Sequence, residues 1–324
     1  LLIQAGVELA QKIFVSRYLD KKYPLLKEKD IQPLKKEERE GVVNNTKALV
    51  LHRIGDMARL QTDTIIISAF LGVVWVGLMG TYKLIINSIS NYVNVIFNSV
   101  ISSFGNLIAT EGKDRQFELF SVYRFFAIWV YGFSAVGFFL LLSPLVELYV
   151  GAERVLPASI ISWYLIDYFF KGERVVLSNF KTAAGVFEQD KYLTLIQGLV
   201  NLVLSLALVT RLGMAGVYIG TVVSGIIANI TKPVIIYRVC FGKKAGSYFL
   251  DSVKYLAVIA AALLILIPLQ GAVMPQVTIP KFILMMLLIT AVFNGIFLLV
   301  FGRSREFQYL WRMGKGRISC LLSK

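Results

Sequence analysis

Ionisable side chains are concentrated in a segment long enough to cross a bilayer, residues 44–71. It carries His52, Arg53, Asp56, Arg59 and Asp63 in its interior. Steps of four, three and four place all of them except Arg53 on one stripe of a helix. A charge at the centre of a lipid-facing helix costs roughly 2.5–3.5 kcal/mol. We therefore expect this stripe to face other helices or water.

The acids of this stripe have two interpretations. Asp56 and Asp63, with His52 towards one end, are candidates for binding an ion or a proton, because intramembrane carboxylates commonly titrate at functional sites. Alternatively, they form salt bridges with Arg59 and with cations of another helix, in a structural or gating role. The sequence supports the two interpretations equally.

A second charged face lies in residues 157–186. It contains Asp167, Lys171, Arg174, Ser178 and Lys181, again at steps of three and four. Asp167 can neutralise Lys171 in part and joins the candidates for ion coupling or gating. Lys171 and Arg174 leave an excess of positive charge suited to an anion such as pyrophosphate or an acidic sugar. Lys181 has an alternative explanation, since its side chain can reach the membrane surface.

Polar side chains also share one face of residues 76–109, namely Lys83, Asn87, Asn91, Asn94 and Asn98. Amides in hydrocarbon need partners, so this ladder predicts a hydrated cavity, with hydrogen bonding between helices as the alternative. Ordinary helix contact explains the later polar faces at least as well: Gln197, Asn201 and Ser205, then Thr221, Ser224 and Lys232. We expect Glu173 to pair with a neighbouring helix and Arg124 to lie at the membrane interface.

The composition predicts that these faces belong to an all-α, polytopic transmembrane helical bundle. Of the 324 residues, 56% are hydrophobic and 17% are charged, and the mean hydropathy is +0.68. Apolar runs of about 20 residues recur along the chain, as spanning helices require. The predicted spans are residues 44–71, 76–109, 117–146, 157–186, 191–210, 214–237, 248–270 and 279–301.

The N-terminal stretch LLIQAGVELAQKIFV looks like the second half of a spanning helix, so we expect earlier helices to precede it. A polar, basic linker follows, in which Pro24 and Pro33 break any long helix.

Positive charge alternates between the loops. One set of loops, with the C-terminal tail, carries 21 Lys and Arg residues, and the other set carries 3. By the positive-inside rule, the linker and the C-terminus are cytoplasmic. The same rule explains the net charge of +14 without nucleic acid. Cys240 and Cys320 are too few and too far apart for a metal site or a disulfide framework.

The sequence contains no recognisable catalytic or cofactor motif. It has one histidine and lacks HExxH, a Walker glycine loop and GxSxG. We therefore expect a protein that is not an enzyme and that uses no cofactor or metal.

Three stretches carry a family resemblance: TDTIIISAFLGVVWVGLMGTYKLIINSI, NSVISSFGNLIAT and FKTAAGVFEQDKYLTLIQGLVNLVLSLALVTRLGMAGVYIGTVVS. In this order and spacing they resemble the C-terminal half of polysaccharide repeat-unit flippases of the O-antigen and capsule type. That family belongs to the multidrug/oligosaccharidyl-lipid/polysaccharide exporter superfamily. The resemblance implies two six-helix lobes around a central cavity, often followed by two extra helices.

Under this resemblance the first lobe is largely missing. Residues 1–16 would end it, 17–43 would link the lobes, 44–240 would form the second lobe, and 241–324 would carry the extra helices and a basic cytoplasmic tail.

The resemblance further implies a function. Members of the family move an oligosaccharide linked to polyprenyl pyrophosphate across the bacterial cytoplasmic membrane by alternating access, often with a proton or sodium gradient. The expected partners are this substrate, membrane lipids, H⁺ or Na⁺, and a glycan polymerase complex. The cationic cavity residues would be Arg53, Arg59, Lys83, Lys171 and Arg174, and the polar ones Asn87, Asn91, Asn94 and Asn98.

Other functions remain open. A multidrug antiporter of the same superfamily would prefer an acidic cavity, whereas this one is net basic. A membrane enzyme of glycan assembly would need a large outer loop with catalytic residues, and every predicted outer loop is short. A scaffold without transport activity is a further alternative.

Overall fold

The computed structural model describes residues 2–23 and 35–322. Within these ranges the side chains of residues 2–5, 38, 45, 48, 52–54, 56–60, 314 and 316–322 are not described. All of the regular secondary structure in the described residues is helical, and no strand occurs among them. The predicted all-α fold is confirmed.

The chain divides into two compact units, Leu1–Asn44 and Asn45–Lys324. The first unit contains α1 (Leu2–Lys22) and the start of α2 (Lys36–Leu71). α1 therefore continues beyond the predicted start of the linker, because good helix formers such as Leu19 and Lys21 extend it until Pro24 approaches. The central part of the predicted linker, residues 24–34, lies outside the described residues.

In its described residues the second unit contains the rest of α2 and eight further α-helices. They are α3 (Val73–Asn98), α4 (Ile101–Thr110), α5 (Lys113–Val150), α6 (Ala158–Ala183), α7 (Leu193–Ile236), α8 (Gly246–Val273), α9 (Ile279–Phe301) and α10 (Arg305–Leu322). The predicted span 279–301 coincides with α9, whereas the predicted span 76–109 is interrupted by a turn between α3 and α4.

Among the described residues, five helical segments are long and apolar enough to cross a membrane. They are Val73–Thr110, Lys113–Val150, Glu188–Phe241, Gly246–Val273 and Ile279–Phe301. The protein is therefore a multi-pass membrane protein. In this part of the chain α6 falls outside the set, since its charged residues interrupt an otherwise apolar sequence.

A sharp bend divides α7 into the two spans that the sequence predicts. Gly213 has φ 58° and ψ −140°, a conformation that glycine adopts at little cost. The two arms then pack closely, because a Cβ atom at Gly216 would lie 2.5 Å from the carbonyl oxygen of Leu208. α7 is thus a helical hairpin, with arms 193–212 and 214–236.

α6 packs against α5, α4 and α7 and buries Asp167, Glu173, Arg174 and Lys181. Its contact with α5 is close at Gly172, where any Cβ atom would overlap the ring of Tyr131. Phe180 is fully buried and contacts Phe104, Phe120 and Phe241 with ring centroids 4.8–5.7 Å apart. Aromatic packing therefore fixes one end of α6 and leaves its polar residues on defined faces.

α8 and α9 form a separate apolar cluster with α5. Phe297 of α9 stacks on Trp129 of α5 with a centroid distance of 5.0 Å, and Phe293 and Ala262 are fully buried. Their outer faces expose large apolar side chains such as Leu264 and Leu299. This exposure is typical of helices whose outer faces contact lipid.

A buried ionic network joins α5, α6 and α8. Arg124 Nη2 lies 3.3 Å from Glu173 Oε1, and donates to the carbonyl of Tyr248 at 2.9 Å and to the hydroxyl of Ser252 at 2.8 Å. Ser252 also donates to Glu173, and the guanidinium lies 3.6 Å from the Tyr248 ring centroid. The predicted pairing of Glu173 is confirmed. The same network encloses Arg124, whose side chain is 3% exposed, and its expected position at the membrane interface stays a prediction.

We expect the Arg124→Ala variant to be less stable than the parent protein by about 3–5 kcal/mol, since it leaves the Glu173 carboxylate buried without its cation. Thermal unfolding in detergent would measure the difference. Arg115→Ala is the matched control on the same helix, because Arg115 is exposed and its ion pair is with the exposed Glu118, at 2.6 Å. Equal melting temperatures for the two variants would contradict a structural role for the network.

Candidate functional site

A polar cavity of about 180 Å³ lies between α3, α5 and α6. Its lining residues are Ile86, Asn87, Ser90, Asn94, Tyr131, Tyr164, Asp167, Tyr168, Lys171, Gly172 and Val175. The cavity brings together four of the residues that the sequence singled out: Asn87, Asn94, Asp167 and Lys171.

α3 contributes one side of the cavity through Asn87, Ser90 and Asn94, which share a face at steps of three and four. Asn94 Oδ1 accepts a hydrogen bond from the Tyr131 hydroxyl at 2.7 Å. Asn91 is exposed and does not line the cavity, because it lies about 60° around the helix from Asn94, away from Ser90. Asn98 is also exposed, one turn beyond Asn94.

α6 contributes the charged side. The Asp167 and Lys171 side chains form an ion pair of 2.5 Å between Oδ2 and Nζ. Asp167 is 4% exposed and Lys171 is 42% exposed, so the ammonium is the more accessible charge. Tyr164 and Tyr168 flank this pair on the same face. The site therefore offers one cation, amides and phenol hydroxyls against aromatic rings.

Lys83 lies on α3 one turn from Asn87 and is half-buried. Its ammonium lies 5.9 Å from the centroid of the Tyr218 ring. Its charge interacts with those of Asp63 and Lys171, although Lys83 is not among the lining residues of the cavity. The ammonium groups of Lys83 and Lys171 therefore both contribute positive charge to the region of the cavity.

The structure places Arg174 in a different environment from the predicted one. Its Nη1 donates to the carbonyl of Gly225 at 2.8 Å and to Oδ1 of Asn229, both on α7. Arg174 lies about 60° around α6 from Lys171, which turns it from the cavity towards the second arm of α7. Lys181 is likewise buried in a pair with Asp190, at 2.5 Å, rather than extended to the membrane surface.

A second polar group surrounds Asp63 on α2. The carboxylate accepts hydrogen bonds from Asn201 Nδ2 at 2.9 Å and from Thr221 Oγ1 at 2.8 Å. Ser205 Oγ lies 3.2 Å from both Asn201 Oδ1 and the carbonyl oxygen of Val217. Asp63, Asn201, Ser205 and Thr221 are all buried. We call this set the Asp63 cluster.

The hairpin of α7 assembles the Asp63 cluster, since its two arms each supply part of it. A Cβ atom at Gly220 would lie 2.6 Å from Ser205 Oγ, so the arms can approach only at a glycine. α2 also approaches the first arm of α7 closely at Gly55, where a Cβ atom would lie 2.8 Å from Thr194 Cγ2.

The Asp63 cluster combines one carboxylate with amide, hydroxyl and carbonyl oxygens. Such a donor set can accept a proton or hold a hard monovalent cation such as Na⁺. Within the described residues, no three or more His, Cys, Asp or Glu side chains form a group that could hold a metal ion.

Four predicted site residues lie on α2 with side chains outside the described residues: His52, Arg53, Asp56 and Arg59. Their expected roles in charge, coupling or gating stay predictions.

Sequence reasoning missed the three tyrosines of the cavity. Tyr164 and Tyr168 precede Asp167 or Lys171 by three residues, so the helical period could have revealed them. Tyr131 gives no such signal, because only the packing of α5 brings it to the cavity. Asn201, Ser205 and Thr221 were noted on the sequence, but a contact across 138 residues to Asp63 has no local sequence pattern.

Comparisons with known proteins add one likeness. No family model matches the chain, and no curated protein matches it. Among solved structures, the chain is similar to the lipid II flippase MurJ in its inward closed conformation, with 17% sequence identity and a TM-score of 0.46. The likeness covers 79% of this chain and 53% of that one, so the chain spans about half the length of that flippase.

Proposed function

We propose that the protein acts in the translocation of a lipid-linked oligosaccharide, carried on polyprenyl pyrophosphate, across the bacterial cytoplasmic membrane. The observation that carries the proposal is the cavity between α3, α5 and α6, in which amides, tyrosines and a lysine meet inside a multi-pass membrane protein. The family resemblance of the sequence supports the same class of substrate.

The lining fits a sugar bearing an anionic group. Aromatic rings such as those of Tyr164 and Tyr168 can pack on the apolar face of a sugar ring, and the amides of Asn87 and Asn94 can bond its hydroxyls. Lys171 and Lys83 supply positive charge for a pyrophosphate or an acidic sugar. Asp167 holds the Lys171 ammonium in place without filling the cavity.

Two features support the direction of the chain in the membrane. The loop that contains Lys243 and Lys244 and the tail after α9 both belong to the set of basic loops, which carries 21 Lys and Arg residues. We infer from this asymmetry that the C-terminus is cytoplasmic. A glycan polymerase is the partner that would consume the translocated oligosaccharide.

We expect Lys171→Gln to slow translocation of a lipid-linked oligosaccharide by roughly 10- to 100-fold, the loss that corresponds to one hydrogen bond to a charged group. The assay uses the protein in liposomes, with a fluorescent lipid-linked sugar and a reagent that reacts only in the outer leaflet. Lys244→Gln is the control, because it removes the same charge from an exposed loop.

The outcomes of this assay also separate the other functions. Unchanged translocation in Lys171→Gln would contradict the role of the cavity. Transport of a cationic dye in place of the lipid-linked sugar would identify a multidrug antiporter. Growth of the glycan chain would identify an enzyme of glycan assembly. Absence of all three activities, namely translocation, dye transport and glycan growth, from the parent protein would favour a scaffold.

We further propose that the Asp63 cluster couples translocation to a gradient of H⁺ or Na⁺. Its carboxylate is buried, contacts both arms of α7 and interacts with the charge of Lys83. Loading this carboxylate with a cation changes the net charge between α2 and α7, and thus the packing of the two helices. Asp167, on the cavity wall, is the other described candidate for this role.

We expect Asp63→Asn to abolish the dependence of translocation on the cation gradient, because an amide cannot bind a proton or replace an anionic ligand. Thr221→Val should weaken the dependence, since it removes one hydroxyl from the carboxylate. Translocation rates would be measured in liposomes with and without imposed pH or Na⁺ gradients. Thr231→Val is the matched control, because Thr231 lies on the same arm and bonds only the backbone of Ile227, at 2.7 Å. If the translocation rate of Asp63→Asn depended on the gradient as fully as that of the parent protein, this proposal would be contradicted.

A further inference from the structure

The final helix begins directly where the last spanning helix ends. α9 ends at Phe301, and the amide of Ser304 donates to the Phe301 carbonyl at 2.8 Å, which turns the chain. Ser304 Oγ then accepts from the amide of Phe307 at 3.1 Å and caps α10. Three residues therefore separate a helix long enough to cross the membrane from α10, which must start close to the membrane surface.

One face of α10 is packed against the protein. The Phe307 ring lies 5.9 Å from that of Trp129, and Leu310 packs on the apolar cluster of α5, α8 and α9. Tyr309 lies about 100° around the helix from Leu310, and the guanidinium of Arg115 lies 5.9 Å from its ring. These contacts fix the rotation of α10 about its own axis.

The opposite face is exposed and basic. Arg305, Gln308, Arg312 and Lys315 follow at steps of three, four and three, so they lie within about 80° of one another around the helix. All four are exposed. Trp311 lies at the edge between this basic face and the packed face. It is 57% exposed, and the Lys315 ammonium lies 5.3 Å from its ring.

We propose that α10 lies on the bilayer surface and that Arg305, Arg312 and Lys315 bind anionic lipid headgroups of the leaflet on its side. An exposed tryptophan beside basic residues is the composition that partitions into the membrane interface. The closeness of α10 to the end of α9 makes lipid the surface within reach. This inference is independent of the transported substrate.

The position of Trp311 in the bilayer would be measured on the whole protein in vesicles. All vesicles contain phosphatidylcholine and phosphatidylglycerol in the same proportion. In one set the phosphatidylglycerol carries bromine on its acyl chains, and in the other set an equal mole fraction of phosphatidylcholine carries it. The contribution of Trp311 is the difference in fluorescence quenching between the parent protein and Trp311→Phe. We expect brominated phosphatidylglycerol to quench Trp311 several-fold more than the same mole fraction of brominated phosphatidylcholine does.

The triple variant Arg305→Gln/Arg312→Gln/Lys315→Gln should remove this preference for phosphatidylglycerol. Each charge near an anionic surface contributes a factor of about five. The matched control is Lys113→Gln/Arg238→Gln/Lys244→Gln, which removes three exposed charges of the same sign, none of them on α10, and should keep the preference. High salt should reduce it in the parent protein.

Three results would overturn the proposal. Quenching of Trp311 that is equal for the two lipids would exclude a role for headgroup charge. Absence of quenching by either lipid would show that α10 does not lie on the bilayer, and would leave an acidic protein as the partner of the basic face. Retention of the phosphatidylglycerol preference in the α10 triple variant would assign the effect to other charges.

Discussion

A charged group removed from water must have a partner of opposite charge or a set of hydrogen bonds, and this requirement determines how α6 packs. Asp167 pairs with Lys171, Glu173 with Arg124, and Arg174 bonds polar atoms of α7. The Asp167–Lys171 pair lies within α6, whereas Glu173 and Arg174 contact different neighbours of α6. A helix too polar to face lipid is thereby held in a fixed rotation among the apolar helices around it.

In this arrangement the cationic residues have different roles. Arg124 and Arg174 contribute to packing, because Arg124 joins α5 to α6 and α8 and Arg174 joins α6 to α7. Lys171 keeps an accessible ammonium because its acid partner lies one turn earlier on its own helix, so no neighbouring helix covers it. The fixed scaffold and the open cavity are therefore built from the same stripe of residues.

Most of the fold follows from the helical period and from hydropathy, and the site follows in part. The sequence predicts the spans and the face shared by Asp167 and Lys171, since both depend on local spacing. It does not separate Lys171 from Arg174, because a difference of about 60° around a helix decides between a cavity and an interface. Tyr131 and the partners of Asp63 depend on long-range packing, which local spacing does not contain.

The bend at Gly213 has a consequence for the order of folding. Asn201 and Thr221 lie on the two arms of one hairpin with a very short connection, so they meet at a small loss of chain entropy. The hairpin can form as a local unit before distant parts of the chain associate. Docking of α2 on such a preformed hairpin would supply both hydrogen-bond donors of Asp63 in one step. A substitution at Gly213 would therefore delay assembly even though this residue touches none of the polar groups.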